Sequence, residues 1–327
     1  MPTSAILGTG AYAPIKVLTN ADLERMVNTN GPWIESRTGI KERRIAAEGE
    51  ATSDLAAEAG RRALEFANLD AADVDLIIVA TVTGDTPTPS CAAFVQAKLG
   101  AHNAFAFDVS AACAGSLYAL VIADQFIRSG SVKRALVIGA ETLSRVVDWS
   151  NRETCVLFGD AAGAMLLEAT EDKERGLLSS TLHTDGSMTG ILGIYGGGSR
   201  RPFSKELLEE NGHKIKMRGR EVYRVAARLL PEAVAAALNQ AGLQAGDITH
   251  VIAHQANLRI IESALATLGV PMEKCWVNID RYGNTSSASM PITLDEANRA
   301  GALRRGDVIA MMAIGAGMTW GGAILRW

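Results

Sequence analysis

Two stretches of this chain run through the same elements in the same order. The first reads "DVDLIIVATVT", "AKLG", "AFAFDVSAACAG", "RALVIGAET". The second reads "DITHVIAHQAN", "ATLG", "CWVNIDRYGNTS", "VIAMMAIGAGM". Each passes from a strand to a helix ending in Leu-Gly, then to a strand entering a small-residue turn, a helix, and a strand ending in Ile-Gly-Ala. Self-similarity at this scale implies two copies of one supersecondary plan. The reading is two similar α/β halves, 1–170 and 171–327. At 327 residues the chain has room for two such cores. No Pro/Ser-rich linker separates them, so they are expected to share an interface.

Local patterns agree with the alternation. "TSDLAAEAGRRALEFANL" offers Thr52 or Ser53 as a cap, and Leu55, Ala59, Ala63 and Phe66 at helical spacing. "VDLIIVATVT" and "RALVIGAE" are short β-branched runs of the kind buried on both faces. "LYALVIADQFIRSG" reads as a helix closed by Gly130. Strands alternating with helices predict an α/β architecture.

Composition removes several function classes. Apolar residues make up 48% and charged residues 21%, which is a globular balance. A net charge of -4 argues against general nucleic-acid binding. The four cysteines, at 91, 113, 155 and 275, form no C-x-x-C pair, so neither a metal site nor a disulfide framework is read. The start, "MPTSAILGTGAYAP", lacks the basic and apolar regions of a signal peptide, and no apolar run approaches the ~18 residues of a spanning helix. A cytoplasmic protein without membrane insertion is expected.

The repeat places three chemistry-bearing residues at strand ends, where sites of open α/β sheets gather. Cys113 follows the strand in "FDVSAACAGSLYAL", His254 follows "ITHVIA", and Asn284 lies in "YGNTSSASMP". A helix start favours a thiolate, and the small neighbours of Cys113 allow a substrate to approach. Taken singly, each has an ordinary role as well: a small core residue, a hydrogen-bonded histidine, a turn or N-cap. Cys91, Cys155 and Cys275 sit in apolar surroundings and read as core. The late loop "AIGAGMTWGGA", with Gly315, Ala316 and Gly317, either packs closely or turns N–H groups toward a developing oxyanion.

"DVSAACAGSLYAL", "HQANLRI" and "GNTSSAS" resemble the three motifs of the β-ketoacyl-acyl-carrier-protein synthase III family, in the thiolase-fold superfamily. "WIESRTGIKERR" and "DWSNRETCVLFGDAAGA" resemble further family blocks, and the match continues in order to "TWGGAILRW". The resemblance implies a thiolase-like fold of two pseudo-symmetric α/β halves, with mixed central sheets in an αβαβα stack. It implies that Cys113 takes an acyl group from acyl-CoA, and that malonyl on an acyl carrier protein then loses CO₂ and attacks the thioester. His254 and Asn284 would hold the malonyl thioester oxygen. The Cys113 N–H and one from the Gly315–Gly317 loop would form a second oxyanion site. CoA is a substrate here, and no cofactor or metal is implied.

The same resemblance gives Trp33, Arg37 and Arg152 to the CoA nucleotide, and Thr29 and Asn257 to the tunnel. It gives Gln255, Ala256, Asn257, Leu258 and Arg259 to carrier-protein docking. The basic stretch "HKIKMRGREVYR" would join that surface or be a solvated helix face. A homodimer is implied. Thr88 stands where many relatives carry a bulky side chain such as Phe, which reaches across the dimer to floor the partner's acyl pocket. A small residue there predicts a pocket that accepts longer or branched primers. The alternatives are a condensing enzyme of a secondary, polyketide-type pathway and, in another class, a cysteine thioester hydrolase.

Overall fold

The computed structural model describes residues 2–327. Two sheets organise the chain. The first holds five strands in the order Thr3–Tyr12, Asp160–Thr170, Arg134–Thr142, Leu76–Ala80, Phe105–Val109. The second holds four in the order Gly176–Thr184, Thr319–Arg326, Val308–Gly315, His250–Ala253. Both sheets are mixed. Leu76–Ala80 pairs in parallel with Phe105–Val109 and Arg134–Thr142, and His250–Ala253 pairs in parallel with Val308–Gly315. The remaining neighbours are antiparallel.

Read from the antiparallel edge inward, the two orders correspond strand for strand, as the repeat requires. They differ at the last position. "CWVNID", matched in sequence to Phe105–Val109, forms no strand; a single bridge between Val251 and Cys275 and the hydrogen bond from Trp276 N to Val251 O (3.1 Å) stand in its place.

Side-chain alternation explains the layering. Leu76, Ile78 and Ala80 face a central core, while Ile77 and Val79 face an outer one. Ile309, Met311 and Ala313 face the same central core from the second sheet, and Ala310, Met312 and Ile314 face away. With both faces buried, these strands are apolar throughout rather than alternating. Helices Gly115–Arg128 and Ser289–Arg299 lie between the sheets and touch both. Thr52–Ala67 and Cys91–Leu99 cover the outer face of the first sheet, and Gly219–Gln240 and Leu258–Leu268 that of the second. The result is the expected αβαβα stack.

Two local expectations fail for identifiable reasons. Neither Thr52 nor Ser53 caps its helix. Thr52 Oγ1 donates to Thr83 O (2.5 Å), and the helix start is held by Asp85, which accepts from Ser53 N (2.9 Å) and Ser53 Oγ (2.6 Å). Phe66 is turned out and lies beneath the Arg299 guanidinium.

Close backbone approach between the layers depends on glycine. A Cβ on Gly139 would meet Ser287 O at 2.1 Å, and backbone cannot swing aside as a flexible side chain can. Gly139→Ala should cost about 1–3 kcal/mol or more and lower Tm by several degrees. Gly246→Ala, at a position with open space around it, is the control. Equal melting temperatures in a thermal scan would contradict this account.

Candidate active site

The first sheet delivers Cys113 by an abrupt turn. After strand Phe105–Val109 the chain reaches Ala112 at φ 47°, in the left-handed region, and then a 3₁₀ turn, Ala112–Ala114, that runs into helix Gly115–Arg128. A non-glycine residue there costs about 1–3 kcal/mol and persists only where the surroundings enforce it. The second half repeats the manoeuvre. Ser286, at φ 49°, opens the 3₁₀ turn Ser286–Ala288, which runs into helix Ser289–Arg299. Each turn rests on the other half. Gly315, at the end of its strand, leaves no room for a Cβ, which would lie 2.5 Å from Cys113 N; Gly139 does the same beneath Ser287.

This seam opens into a cavity of about 870 Å³. Cys113, His254 and Asn284 all line it, and all three are buried. The exposed Arg37 and Arg152 line its solvent end. The three residues that the repeat aligned at strand ends thus meet at one site.

Hydrogen bonding fixes the two partners of the thiol. Asn284 N donates to Leu157 O (2.8 Å), and Asn284 O accepts from Gly159 N (3.0 Å). Its Oδ1 accepts from Ser286 N (2.9 Å). Among the described residues Nδ2 has no partner, so this donor is left to the cavity. His254 N donates to Met312 O (2.8 Å), and Nδ1 lies 2.7 Å from Ser289 Oγ. Ser289 Oγ also accepts from Gln255 N (3.2 Å). Its own proton has two acceptors in reach, His254 Nδ1 and, at 3.0 Å, Ser286 O. Donation to Nδ1 leaves the histidine proton on Nε2, facing the cavity.

Burial sets the charges. It pushes His254 down to about 3, so the ring is neutral at working pH. It pushes the Cys113 thiol up from 9.0 to about 12, opposed by a hydrogen bond from Ser286, with the Glu141 charge adding to the rise. The rise corresponds to roughly 4 kcal/mol. A helix N-terminus offers at most about 2 kcal/mol, and here a 3₁₀ turn stands between the thiol and the regular helix. The expectation of a resting thiolate is therefore corrected: the resting nucleophile is a protonated thiol.

The remaining sequence candidates divide. Trp33, Arg37, Arg152, Ala256, Asn257 and Gly315 line the cavity. The Arg152 guanidinium lies 4.6 Å over the Trp33 ring and donates to Asn28 O (3.0 Å). Asn257 caps helix Leu258–Leu268 through Arg259 N and donates from Nδ2 to Arg37 O (3.0 Å). Ala316 and Gly317 follow Gly315 but do not line the cavity, and neither does Thr29, whose hydroxyl is buried without a partner among the described residues. Leu258 packs against Gly39, and Arg259 is exposed. Gln255 is a correction. It is fully buried, its amide donates to Ala253 O and Trp276 O, and it presents no surface to a carrier protein. The basic stretch from 213 is not one helix face: Ile215–Met217 is a strand, and the helix begins at Gly219. Thr88 is exposed and lies outside this chain's own cavity. Sequence reasoning overlooked Ser286, Ser289 and Glu141, although a charged residue ending the buried run "RALVIGAE" was a visible signal.

Comparison with known proteins agrees with this geometry. The family model described as 3-oxoacyl-[acyl-carrier-protein] synthase III matches residues 107–186, and its C-terminal counterpart matches 238–327. A β-ketoacyl-[acyl-carrier-protein] synthase III of Caldanaerobacter subterraneus subsp. tengcongensis is 52% identical, over 99% of this chain and 98% of that protein. The chain belongs to the β-ketoacyl-[acyl-carrier-protein] synthase III family. It is an acyltransferase-type condensing enzyme, joining an acyl primer to malonyl-acyl carrier protein at the start of fatty-acid synthesis. The crystal structure of the synthase III from Aquifex aeolicus superposes with a TM-score of 0.92 at 48% identity, covering 99% of this chain and 100% of that one. The priming β-ketosynthase of the R1128 polyketide pathway superposes with a TM-score of 0.92 at 36% identity, covering 99% and 96%.

If Ser289 sets the His254 tautomer, Ser289→Ala should slow the condensing step about tenfold or more, the scale of one misdirected donor, and spare acyl transfer. Single-turnover measurements on the acyl-enzyme, with ¹⁵N NMR of the His254 ring, check this. An unchanged tautomer and rate would rule it out.

Proposed function

We propose that Cys113 carries the acyl primer while His254 Nε2 and Asn284 Nδ2 hold the malonyl thioester oxygen. What supports this division is that His254 and Asn284 line the thiol's cavity, and that Asn284 Nδ2 has no partner of its own among the described residues. Acylation forms a bond between Cys113 Sγ and the primer carbonyl carbon and releases CoA as a thiol. Malonyl-acyl carrier protein then loses CO₂. The electron pair left on its α-carbon is delocalised onto the thioester oxygen between the two donors, then attacks the Cys113 thioester and expels Cys113 Sγ as a thiolate, which takes a proton from water to restore the thiol. Asparagine cannot titrate and His254 is held neutral, so both act as fixed donors, each contributing on the order of 3 kcal/mol. The Cys113 N–H and the strand end at Gly315 form the second oxyanion site.

The hydrolase alternative requires His254 to take the thiol proton. Burial lowers the basicity of His254 and raises the thiol, both of which oppose that transfer, and Nδ1 meets a serine rather than an orienting carboxylate.

Trp33 and Arg152 form the nucleotide end of the site. The guanidinium already lies over the indole, so an adenine entering between them replaces one planar contact by two. Arg37 meets the phosphates, and Arg259, with Arg218 and Arg220 at the rim, receives the acidic carrier. Thr29 lies beside this entrance. The enzyme works as a cytoplasmic homodimer of two halves, 1–170 and 171–327. Strand Phe105–Val109 is an edge of the five-stranded sheet, and Phe105 is 48% exposed, a combination that favours pairing with a second copy. Thr88 then enters the partner's acyl pocket and leaves it deep enough for longer or branched primers.

Cys113→Ala should abolish acyl transfer. His254→Ala and Asn284→Ala should acylate normally and lose condensation by about 10²-fold or more. Intact mass after acyl-CoA exposure, followed by product analysis with malonyl-acyl carrier protein, separates the two steps. Equal loss of acylation in all three variants would contradict the division. Thr88→Phe should narrow acceptance from hexanoyl- and isobutyryl-CoA toward acetyl-CoA. A wild-type enzyme already confined to acetyl-CoA would refute the pocket assignment.

A further inference from the structure

A protonated thiol must lose its proton before it can attack, and the neutral, weakly basic His254 is no acceptor. The structure contains one. Glu141 ends strand Arg134–Thr142 and is completely buried. No cation pairs with it among the described residues. Its Oε1 accepts from Ser286 Oγ (3.1 Å) and Ser287 Oγ (3.2 Å). Its Oε2 accepts from Thr83 Oγ1 (2.5 Å), Thr81 Oγ1 (3.2 Å) and Val82 N (3.1 Å). The one proton of Ser287 has a nearer acceptor in Ala80 O (2.7 Å), so four other neutral donors surround an isolated carboxylate. Ser286 lies on the 3₁₀ turn that packs against the turn of Cys113, where its hydroxyl opposes the rise of the thiol. It is held there in the left-handed conformation, a strained geometry typical of functional positions.

We propose that Glu141 accepts the Cys113 proton through Ser286 during acylation and returns it to the departing CoA. As Cys113 Sγ attacks the primer carbonyl, its proton passes to Ser286 Oγ while the Ser286 proton passes to Glu141 Oε1. The bond from the acyl carbon to CoA sulfur then breaks, and the CoA thiolate takes a proton back along the same path. Acyl-CoA and thiol become acyl-enzyme and CoA thiol, with no proton gained or lost. The proposal rests on Cys113 being the acylated residue.

The charge environment suits the task. Burial lifts the Glu141 carboxyl to about 7, against hydrogen bonds from Thr83, Val82, Ser286 and Ser287 that lower it. Cys113, from the facing 3₁₀ turn, is the titratable group that feels its charge. His254, which reaches the same Ser286–Ser289 turn, stays neutral. Acylation should therefore rise with pH as Glu141 loses its proton near 7, and level off above.

The test compares wild type, Glu141→Gln, Glu141→Asp and Ser286→Ala as full-length enzymes. Rapid-quench intact mass gives the acetyl-CoA acylation rate across about pH 5.5–9. Each enzyme is then loaded to completion, freed of CoA, and given malonyl-acyl carrier protein for a single turnover. Glu141→Gln should acylate about 10²-fold more slowly, the scale of general-base catalysis, and lose the inflection near 7. Its loaded form should condense within about twofold of wild type, a change too small to reflect lost general-base catalysis. Glu141→Asp should recover part of the rate and the inflection. Ser286→Ala should lose the inflection as well, and it tests the relay even if Glu141→Gln fails to fold. Wild-type acylation rates and pH profiles in both Glu141→Gln and Ser286→Ala would overturn the relay. Parallel loss of acylation and condensation would reduce Glu141 to a structural strut and overturn it too. A wild-type enzyme that forms no adduct on Cys113 would overturn the reading of the nucleophile, and the relay with it.

Discussion

The candidate site depends on a reciprocal backbone contact between the segments that follow the two sheets. The turn carrying Cys113 belongs to the first half and rests on Gly315 of the second; the turn carrying Ser287 belongs to the second and rests on Gly139 of the first. Each contact is closer than any side chain permits. Separating the sheets by even the width of a methyl group would pull the thiol away from His254 and Asn284, because those two hang from the opposite half. Interiors packed this densely transmit such a displacement rather than absorb it. Precision at the site is therefore a property of the seam, and the strained residues Ala112 and Ser286 are held in place by it.

The second consequence of the seam is dryness. Cys113, His254 and Asn284 are all buried, and at rest all three are uncharged. The arginines that line the cavity, Arg37, Arg152, Arg218 and Arg220, lie toward its entrance. A low local dielectric strengthens each hydrogen bond to a developing oxyanion, and makes any unpaired ion inside costly. Neutral donors and a neutral thiol accommodate both conditions.

Much of this was legible in the sequence because it repeats. The paired segments pointed to two related sheets, and the repeat aligned Cys113, His254 and Asn284 at strand ends that line one cavity. Fully apolar runs announced strands buried on both faces. What the sequence concealed was decided by contacts between distant segments. Asp85, not the adjacent Thr52 or Ser53, holds a helix start. Gln255 sits within a surface-like motif yet turns inward to satisfy Ala253 O and Trp276 O. The segment "CWVNID" has strand-like composition, but after the one bridge at Cys275 its backbone enters the turn at Asn278. A helix start in the sequence also suggested a thiolate, and only the burial of Cys113 shows why it is not one.

The same turn performs different work in the two halves. In the first it presents a thiol. In the second, at the matching entry to the central helix, it presents the hydroxyls of Ser286 and Ser287. The two turns pack against each other across the seam, which places the Ser286 oxygen beside the turn of the thiol. That oxygen is weakly basic unless an anion stands behind it, and Glu141 stands behind both serines at hydrogen-bonding distance. An isolated buried carboxylate is costly to keep for packing alone, since uncharged residues fill the same volume without its desolvation penalty. Its placement is intelligible if the acyl-accepting half needs a proton acceptor that the neutral His254 cannot provide, and if that acceptor must stay clear of the cavity where carbon–carbon bond formation demands donors only.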